Sequence, residues 1–189
     1  MHALKPFLLA VAAVALAAPA AAQVTGYEGA QFVKAIQDGK SDDALKLMQD
    51  HPSVVNARDI NGQTPLIASI ESRAEDWTGF LLQQGADPDT PNGQGETPLM
   101  AAAKIGFQDA VGWLLGSGAK VDATNRMGET ALIIAVQHRQ VPIVRALLEA
   151  GADPDKADSA QGYSARDYAK RDNRTPELLR IIQSKKPAR

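Results

Sequence analysis

The chain has 189 residues, no cysteine, and 20 Lys and Arg against 22 Asp and Glu, a formal net charge of -2. A balance so near zero lacks the electrostatic footprint of a nucleic-acid binder. The missing thiols exclude disulfides, thiolate metal ligands and cysteine nucleophiles. Hydrophobic residues make up 44% but aromatic residues only 5%, which suits closely packed helices rich in alanine and leucine.

Positions 1–22 read as a separate segment. Lys5 is its only Lys, Arg, Asp or Glu, Phe7 to Ala18 is an unbroken apolar run, and Ala20-Ala21-Ala22 supplies small residues before Gln23. This is the layout of a secretory signal peptide, with cleavage expected after Ala22. As a helix the run spans only about 18 Å against a hydrocarbon core of roughly 30 Å, so no stable membrane anchor is expected. No Arg-Arg pair precedes it, which favours the general secretory route. The alanine-rich signal resembles those of Gram-negative bacteria and points to the periplasm, with full secretion as the alternative.

The rest, 23–184, is expected to form one domain, followed by a basic tail at 185–189. It opens with a helix pair, Gly29 to Gln37 and Ser41 to Gln49, closed by His51 to Asn56. These form an N-terminal cap over 27–58. Then one phrase is written three times: Thr64-Pro65-Leu66, Thr97-Pro98-Leu99 and Thr130-Ala131-Leu132. Each is followed by a Gly-Ala pair, at Gly85, Gly118 and Gly151. Both marks keep one period, which defines units over 59–91, 92–124 and 125–157. A period of this size means a stack of supersecondary units.

In each unit a glycine two places ahead of the threonine suits a tight turn. The threonine is placed as N-cap and the proline as first helical residue. In the third unit the first helix is expected from Ala131 to Gln137, with Leu132, Ala135 and Val136 inward. The second is expected from near Pro142 to Ala150, with Ile143, Ala146, Leu147 and Leu148 buried. Gly151 ends it in a left-handed conformation, and a hairpin leads onward. A C-terminal cap over 158–184 has Ser164 where a fourth threonine is due, one residue late because of an extra residue around Asp158 to Gln161. Its last helix is expected over Glu177 to Ser184.

These residues closely resemble the ankyrin repeat, whose pattern runs Asp-x-x-Gly-x-Thr-Pro-Leu-His, then Ala-Ala, Leu-Leu and Gly-Ala-Asp. The resemblance covers roughly residues 27–184 and implies an all-α solenoid of three full repeats between degenerate caps. Three departures stand out. The family's histidine is replaced by Ile67, Met100 and Ile133. Its glycine after the first helix survives as Gly106 but is Arg73 and Arg139 elsewhere, where a left-handed arginine costs about 1 kcal/mol or more. Lys120 stands where the other copies have Asp87 and Asp153.

The resemblance also implies a continuous concave binding face. Mapped onto this sequence, it comprises Ile60, Asn61, Gln63, Glu71 and Ser72, then Gln94, Glu96, Lys104 and Ile105, then Arg126, Met127, Glu129, Gln137 and His138. Ile60, Ile105 and Met127 are apolar where solvent is expected, which favours a protein partner. Asp87-Pro88-Asp89 and Asp153-Pro154-Asp155 look like paired calcium ligands, but their position after Gly-Ala reads as a hairpin turn. Trp77 and Trp113 are expected in the core. His51 and His138 have no triad or metal spacing.

The expected function is therefore a non-catalytic, monomeric periplasmic module, binding one protein partner as adaptor, accessory or inhibitor. No nucleic acid, cofactor, metal or catalytic residue is assigned. The alternatives are an enzyme with a groove site around His138, Glu129 and Lys104, and a structural protein of the cell envelope.

Overall fold

The computed structural model describes residues 26–184 and, among them, ten α-helices and no strand. They form five helix pairs: α1 (Gly26–Gln37) with α2 (Ser41–Asp50), α3 (Pro65–Glu71) with α4 (Glu75–Gln83), α5 (Pro98–Ile105) with α6 (Gln108–Gly116), α7 (Ala131–Gln137) with α8 (Val141–Glu149), and α9 (Ala165–Arg171) with α10 (Pro176–Ser184). A 3-10 turn over Pro52–Asn56 closes the first pair. The expected signal peptide at 1–22 and the expected basic tail at 185–189 lie outside the described residues. The first helix starts at Gly26, three residues before the expected Gly29. The other helices with expected bounds, α2, α7, α8 and α10, begin and end within a residue of expectation.

The repeated phrase works as a start signal. The hydroxyls of Thr64, Thr97 and Thr130 accept the amides of Ile67, Met100 and Ile133 at 3.2, 3.3 and 3.2 Å. Ser164 does the same for the Asp167 amide at 3.2 Å, so the late fourth phrase is a true N-cap. A bond of this type is worth about 1 kcal/mol of helix stability.

The Gly-Ala pair is the stop signal. At the end of α4 the Ala86 amide donates to Leu81 O at 2.9 Å and the Gly85 amide to Leu82 O at 3.1 Å. This crossed pair is the Schellman arrangement, which needs a left-handed residue; Gly85 has φ 85°. Gly118 and Gly151 repeat it at φ 86° and 93°.

Stacking supplies the core. The first helices α1, α3, α5, α7 and α9 pack in one layer, and α4, α6, α8 and α10 pack in a second. A first helix lies between neighbours on both sides, so α7 is buried along Ala131, Leu132, Ile133, Ile134, Ala135 and Val136, beyond the three residues expected. Ile67, Met100 and Ile133, the replacements for the family's histidine, are each fully buried. In α8 the buried stripe is Ile143, Val144, Leu147 and Leu148; Ala146 turns partly outward. Trp77 is buried as expected, but Trp113 is 38% exposed. Trp113 lies on the outer side of α6, braced edge-on against Phe107 at 6.1 Å.

The first repeat carries one polar exception in this core. The Ser69 hydroxyl donates to Leu66 O at 2.8 Å and lies 3.0 Å from the Thr78 hydroxyl, itself 2.9 Å from Ala74 O. Both side chains are fully buried. The later repeats have Ala102 with Val111, and Ala135 with Val144, at these places.

Candidate protein-binding face

Each hairpin is folded by the first side chain of its unit. Asp59 Oδ1 accepts the amides of Asn61 and Gln63 at 2.8 and 2.7 Å. Asn92 does so for Gln94 and Glu96, and Asn125 for Met127 and Glu129, at 2.9 to 3.0 Å. In the cap Asp158 accepts from Gln161 and Gly162, so the extra residue enlarges this turn. The tips touch through backbone: a Cβ on Gly93 would sit 2.2 Å from Asn61 O.

The choice between Asp and Asn at the head of a unit follows its neighbour. The Asn92 and Asn125 amide groups donate to the carboxylates of Glu96 and Glu129 at 3.2 and 2.8 Å. Where the fourth residue on is the neutral Gln63, the head is Asp59. An Asp opposite Glu96 or Glu129 would set two anions against each other.

Above the turns runs a row of side-chain rungs. The residue before each N-cap meets the residue eight places later, at the far end of the first helix. Gln63 donates to Glu71 at 2.5 Å, Lys104 pairs with Glu96 at 3.5 Å, and Gln137 donates to Glu129 at 3.1 Å. In the cap the Arg171 guanidinium stands 4.3 Å over the Tyr163 ring. Three chemistries thus fill one geometric slot in four units: amide on carboxylate twice, ammonium on carboxylate, and cation on aromatic.

These rungs change the expected face. Glu96, expected exposed, is only 7% exposed; Gln63 and Glu129 are half-buried. Ile105, expected apolar in solvent, is half-buried and packs on the core. Ile60 and Met127 remain open at 89% and 53% exposure, beside exposed Asn61, Gln94 and Arg126 on the tips. Glu71, Ser72, Lys104, Gln137 and His138 are exposed at the ends of the first helices. The sequence carried the signal of the rungs, long polar residues eight apart in every unit, and it went unread. Tyr163 and Arg171 were missed with it.

Electrostatics vary along the row. Although the residue is exposed, partial desolvation of its carboxyl first, then the neighbouring Glu96 carboxylate, push Glu71 above its ordinary range, against the opposing Gln63 bond and Lys104 charge. At the other end burial and the Asp158 carboxylate push the Tyr168 phenol up to about 12; the Tyr168 hydroxyl donates to Asp158 at 2.7 Å.

The Asp-Pro-Asp segments are absorbed by the stack. Asn56 accepts the Asp87 amide at 2.8 Å, Asp89 the Lys120 amide at 2.8 Å, and Asp122 the Asp153 amide at 3.0 Å. Lys120 also reaches Asp89 with its ammonium at 3.4 Å. Each bond ties one unit to the next. The groups of the suggested groove enzyme fall on different rungs, with Glu129 held by Gln137, Lys104 paired to Glu96, and His138 an exposed helix end. His51 instead lies 3.7 Å from Glu28.

Both left-handed arginines are tied forward. Arg73 has φ 51° and donates to Ile105 O in the next repeat, with its guanidinium 5.9 Å from the Phe107 ring. Arg139 has φ 56° and pairs with Asp172 in the cap.

Paired helices stacked in register, stapled by hairpins, define a helical-repeat solenoid. A model of the family described as ankyrin repeats, in three copies, matches residues 78–158. The repeats at 78–158 thus match ankyrin repeats, a family whose members generally serve as protein-protein interaction modules. The search of curated proteins finds no match. Among the described residues, no helix is long and apolar enough to cross a membrane.

Proposed function

We propose that this protein is an exported, periplasmic, non-catalytic binding module that holds one folded protein partner on its concave face as adaptor, accessory or inhibitor. The supporting observation is the contrast along that face. Six of its polar side chains satisfy one another in rungs, whereas Ile60 and Met127 stand in solvent on hydrogen-bonded tips. Pre-ordered polar groups cost little entropy on binding, and exposed apolar groups gain from it. A stable contact buries about 800 Å² on each partner. The apolar run and the Ala20-Ala21-Ala22 site support export.

The test is a photo-crosslinking residue at position 127, compared with one at Gln83 on the opposite side. A discrete adduct from position 127 in periplasmic extract, lost on Ile60→Asp/Arg126→Ala, supports the reading. Equal labelling from both positions, or none, overturns it. Intact mass of the exported form checks cleavage after Ala22, and an uncleaved chain would remove the periplasmic assignment.

A further inference from the structure

The last rung of the row departs from the others in charge. In the three full repeats each rung contains its own carboxylate, at Glu71, Glu96 and Glu129, answered by Gln63, Lys104 and Gln137. In the cap the bond from the Asp167 amide to the Ser164 hydroxyl fixes the register, so Tyr163 and Arg171 take the two rung places. This rung has a cation and a ring but no acid, and Arg171 is exposed.

No acid nearby is left to answer it. Asp158 is taken by Tyr168 and two turn amides, Asp167 by Ser164 and Lys170, and Asp172 by Arg139. On the preceding rung Glu129 is held by Asn125 and Gln137. Among the described residues, the Arg171 guanidinium has its ring contact and no hydrogen-bond acceptor.

The ring beneath Arg171 is itself held. Tyr163 meets Tyr168 edge-on at 5.7 Å, and the Tyr168 hydroxyl donates to Asp158 at the head of the cap's turn. A guanidinium stacked on a ring keeps its in-plane N–H fork, which matches both oxygens of a carboxylate. Because the pedestal exists before binding, less side-chain entropy is lost when the fork closes. The neighbouring tip belongs to the same surface: the Ser159 amide donates to Met127 O at 2.9 Å. That tip carries exposed Met127 and exposed Arg126, and Arg126 makes no ion pair among the described residues. Two unanswered arginines thus mark the cap end of the face, whereas its first rung presents the Glu71 carboxylate.

We propose, resting on the concave reading, that the cap end of this face takes an acidic segment of the protein partner, with an Asp or Glu side chain in the Arg171 fork and an apolar neighbour against Met127. Arg126 adds a second positive charge beside the segment. The partner is thereby oriented, its acidic part at the cap and away from Glu71.

The probe is the peptide Ac-Gly-Leu-Gly-Glu-Glu-Gly-amide, titrated into the full exported chain and followed by NMR. Saturable shifts are expected at the Arg171 Nε–H and the Tyr163 ring. The peptide with glutamine for glutamate is expected to give none, and so is that glutamine peptide with a free C-terminal carboxylate. Arg171→Gln is expected to weaken binding at least about fivefold, in keeping with an exposed but forked charge pair. Arg171→Lys keeps the charge, loses the fork, and is expected to weaken it nearly as much. The charge-matched Arg180→Gln, on α10, is expected to leave it unchanged. Absence of saturable shifts, equal binding of either glutamine peptide, full binding by Arg171→Lys or Arg171→Gln, or equal loss in Arg180→Gln would each overturn the proposal. The crosslink at position 127 separates the two readings. An adduct that forms equally in Arg171→Gln overturns the acidic anchor alone, whereas Arg171-dependent peptide binding without any adduct supports the anchor and faults the folded partner.

Discussion

Arg139 and Asp172 join the third repeat to the C-terminal cap through a forked ion pair. Arg139 Nε lies 3.3 and 3.0 Å from the two carboxylate oxygens, and Nη2 lies 3.2 Å from Oδ1. The arginine makes this contact from a left-handed backbone conformation that its side chain disfavours. The tie to the cap offsets the local strain. Asp172→Ala is expected to cost about 1–3 kcal/mol, in the range for losing a hydrogen-bonded charged partner. Arg139→Gly is expected to cost less, because glycine relieves about 1 kcal/mol of backbone strain. Urea denaturation of both variants measures the difference; equal losses would remove strain from the account.

The pairing of hairpin heads predicts a rescue. Asn125→Asp places a carboxylate 2.8 Å from the Glu129 oxygen that now receives an amide proton. A loss of about 1 kcal/mol at pH 7 is expected from an unmade bond and like-charge contact. Adding Glu129→Gln recreates the Asp59 and Gln63 combination of the first repeat and is expected to restore most of it. A double-mutant cycle by chemical denaturation reads this coupling, and additive losses would contradict it.

Acid is expected to loosen the C-terminal cap first. Arg166 holds the Asp155 carboxyl below its ordinary range, and Ser164 and Lys170 do so for Asp167. For Asp158 and Asp172 burial pushes upward, but backbone amides with Tyr168 or Arg139 outweigh it and leave the carboxyl low. A group lowered on folding binds fewer protons folded than unfolded near its unfolded pKa. Its stabilisation is complete above roughly pH 4 and fades as pH falls through the folded value. Hydrogen exchange is expected to rise in α9 and α10 before α5 and α7 as pH drops from 5 towards 2.5. Simultaneous opening of all four would argue against a locally held cap.

Glu71 has the opposite sign. Its raised pKa means the folded state favours the protonated form, so the ionised group opposes folding at neutral pH. Glu71→Gln is expected to raise Tm at pH 7 and to lose that advantage below roughly pH 4, where both versions are neutral. A lower Tm at pH 7 would show that the Gln63 bond outweighs burial and the Glu96 charge.

Removing the polar pair of the first repeat tests its role in the core. Ser69→Ala/Thr78→Val copies the apolar solution of the later repeats. Replacing both partners of a buried bond with groups of similar shape is nearly neutral or stabilising, so a change within about 1 kcal/mol or a gain is expected. A calorimetric loss well beyond that would mark the pair as an ordering device for this repeat.

The fold was legible because its marks are backbone requirements. A threonine hydroxyl, a proline lacking N–H and a left-handed glycine act locally, and a fixed period carries them from unit to unit. The face was less legible because its members are conditional on one another. Ile60 and Met127 read correctly as exposed. Glu96 and Gln63 read as free polar residues when each already had a partner eight places on. Trp113 read as core because its place looks like that of a packed residue, yet α6 turns that place towards solvent. Ile105 failed the other way: it ends its helix on the binding side but leans back onto the core. Such errors come from side-chain reach, which spacing alone does not encode.

The rungs close within a single unit, while the hairpin ties from Asn56, Asp89 and Asp122 land on a main-chain amide that any unit offers. Asp122 needs only the N–H of the residue that follows Gly151-Ala152, whatever that residue is. A whole 33-residue copy inserted between existing ones would bring its own rung and find ready-made attachment on either side. One extra residue within a helix would break both. The chain is therefore built to tolerate growth and contraction in quanta, so the span of partner it can embrace is adjustable by duplication without redesigning any contact.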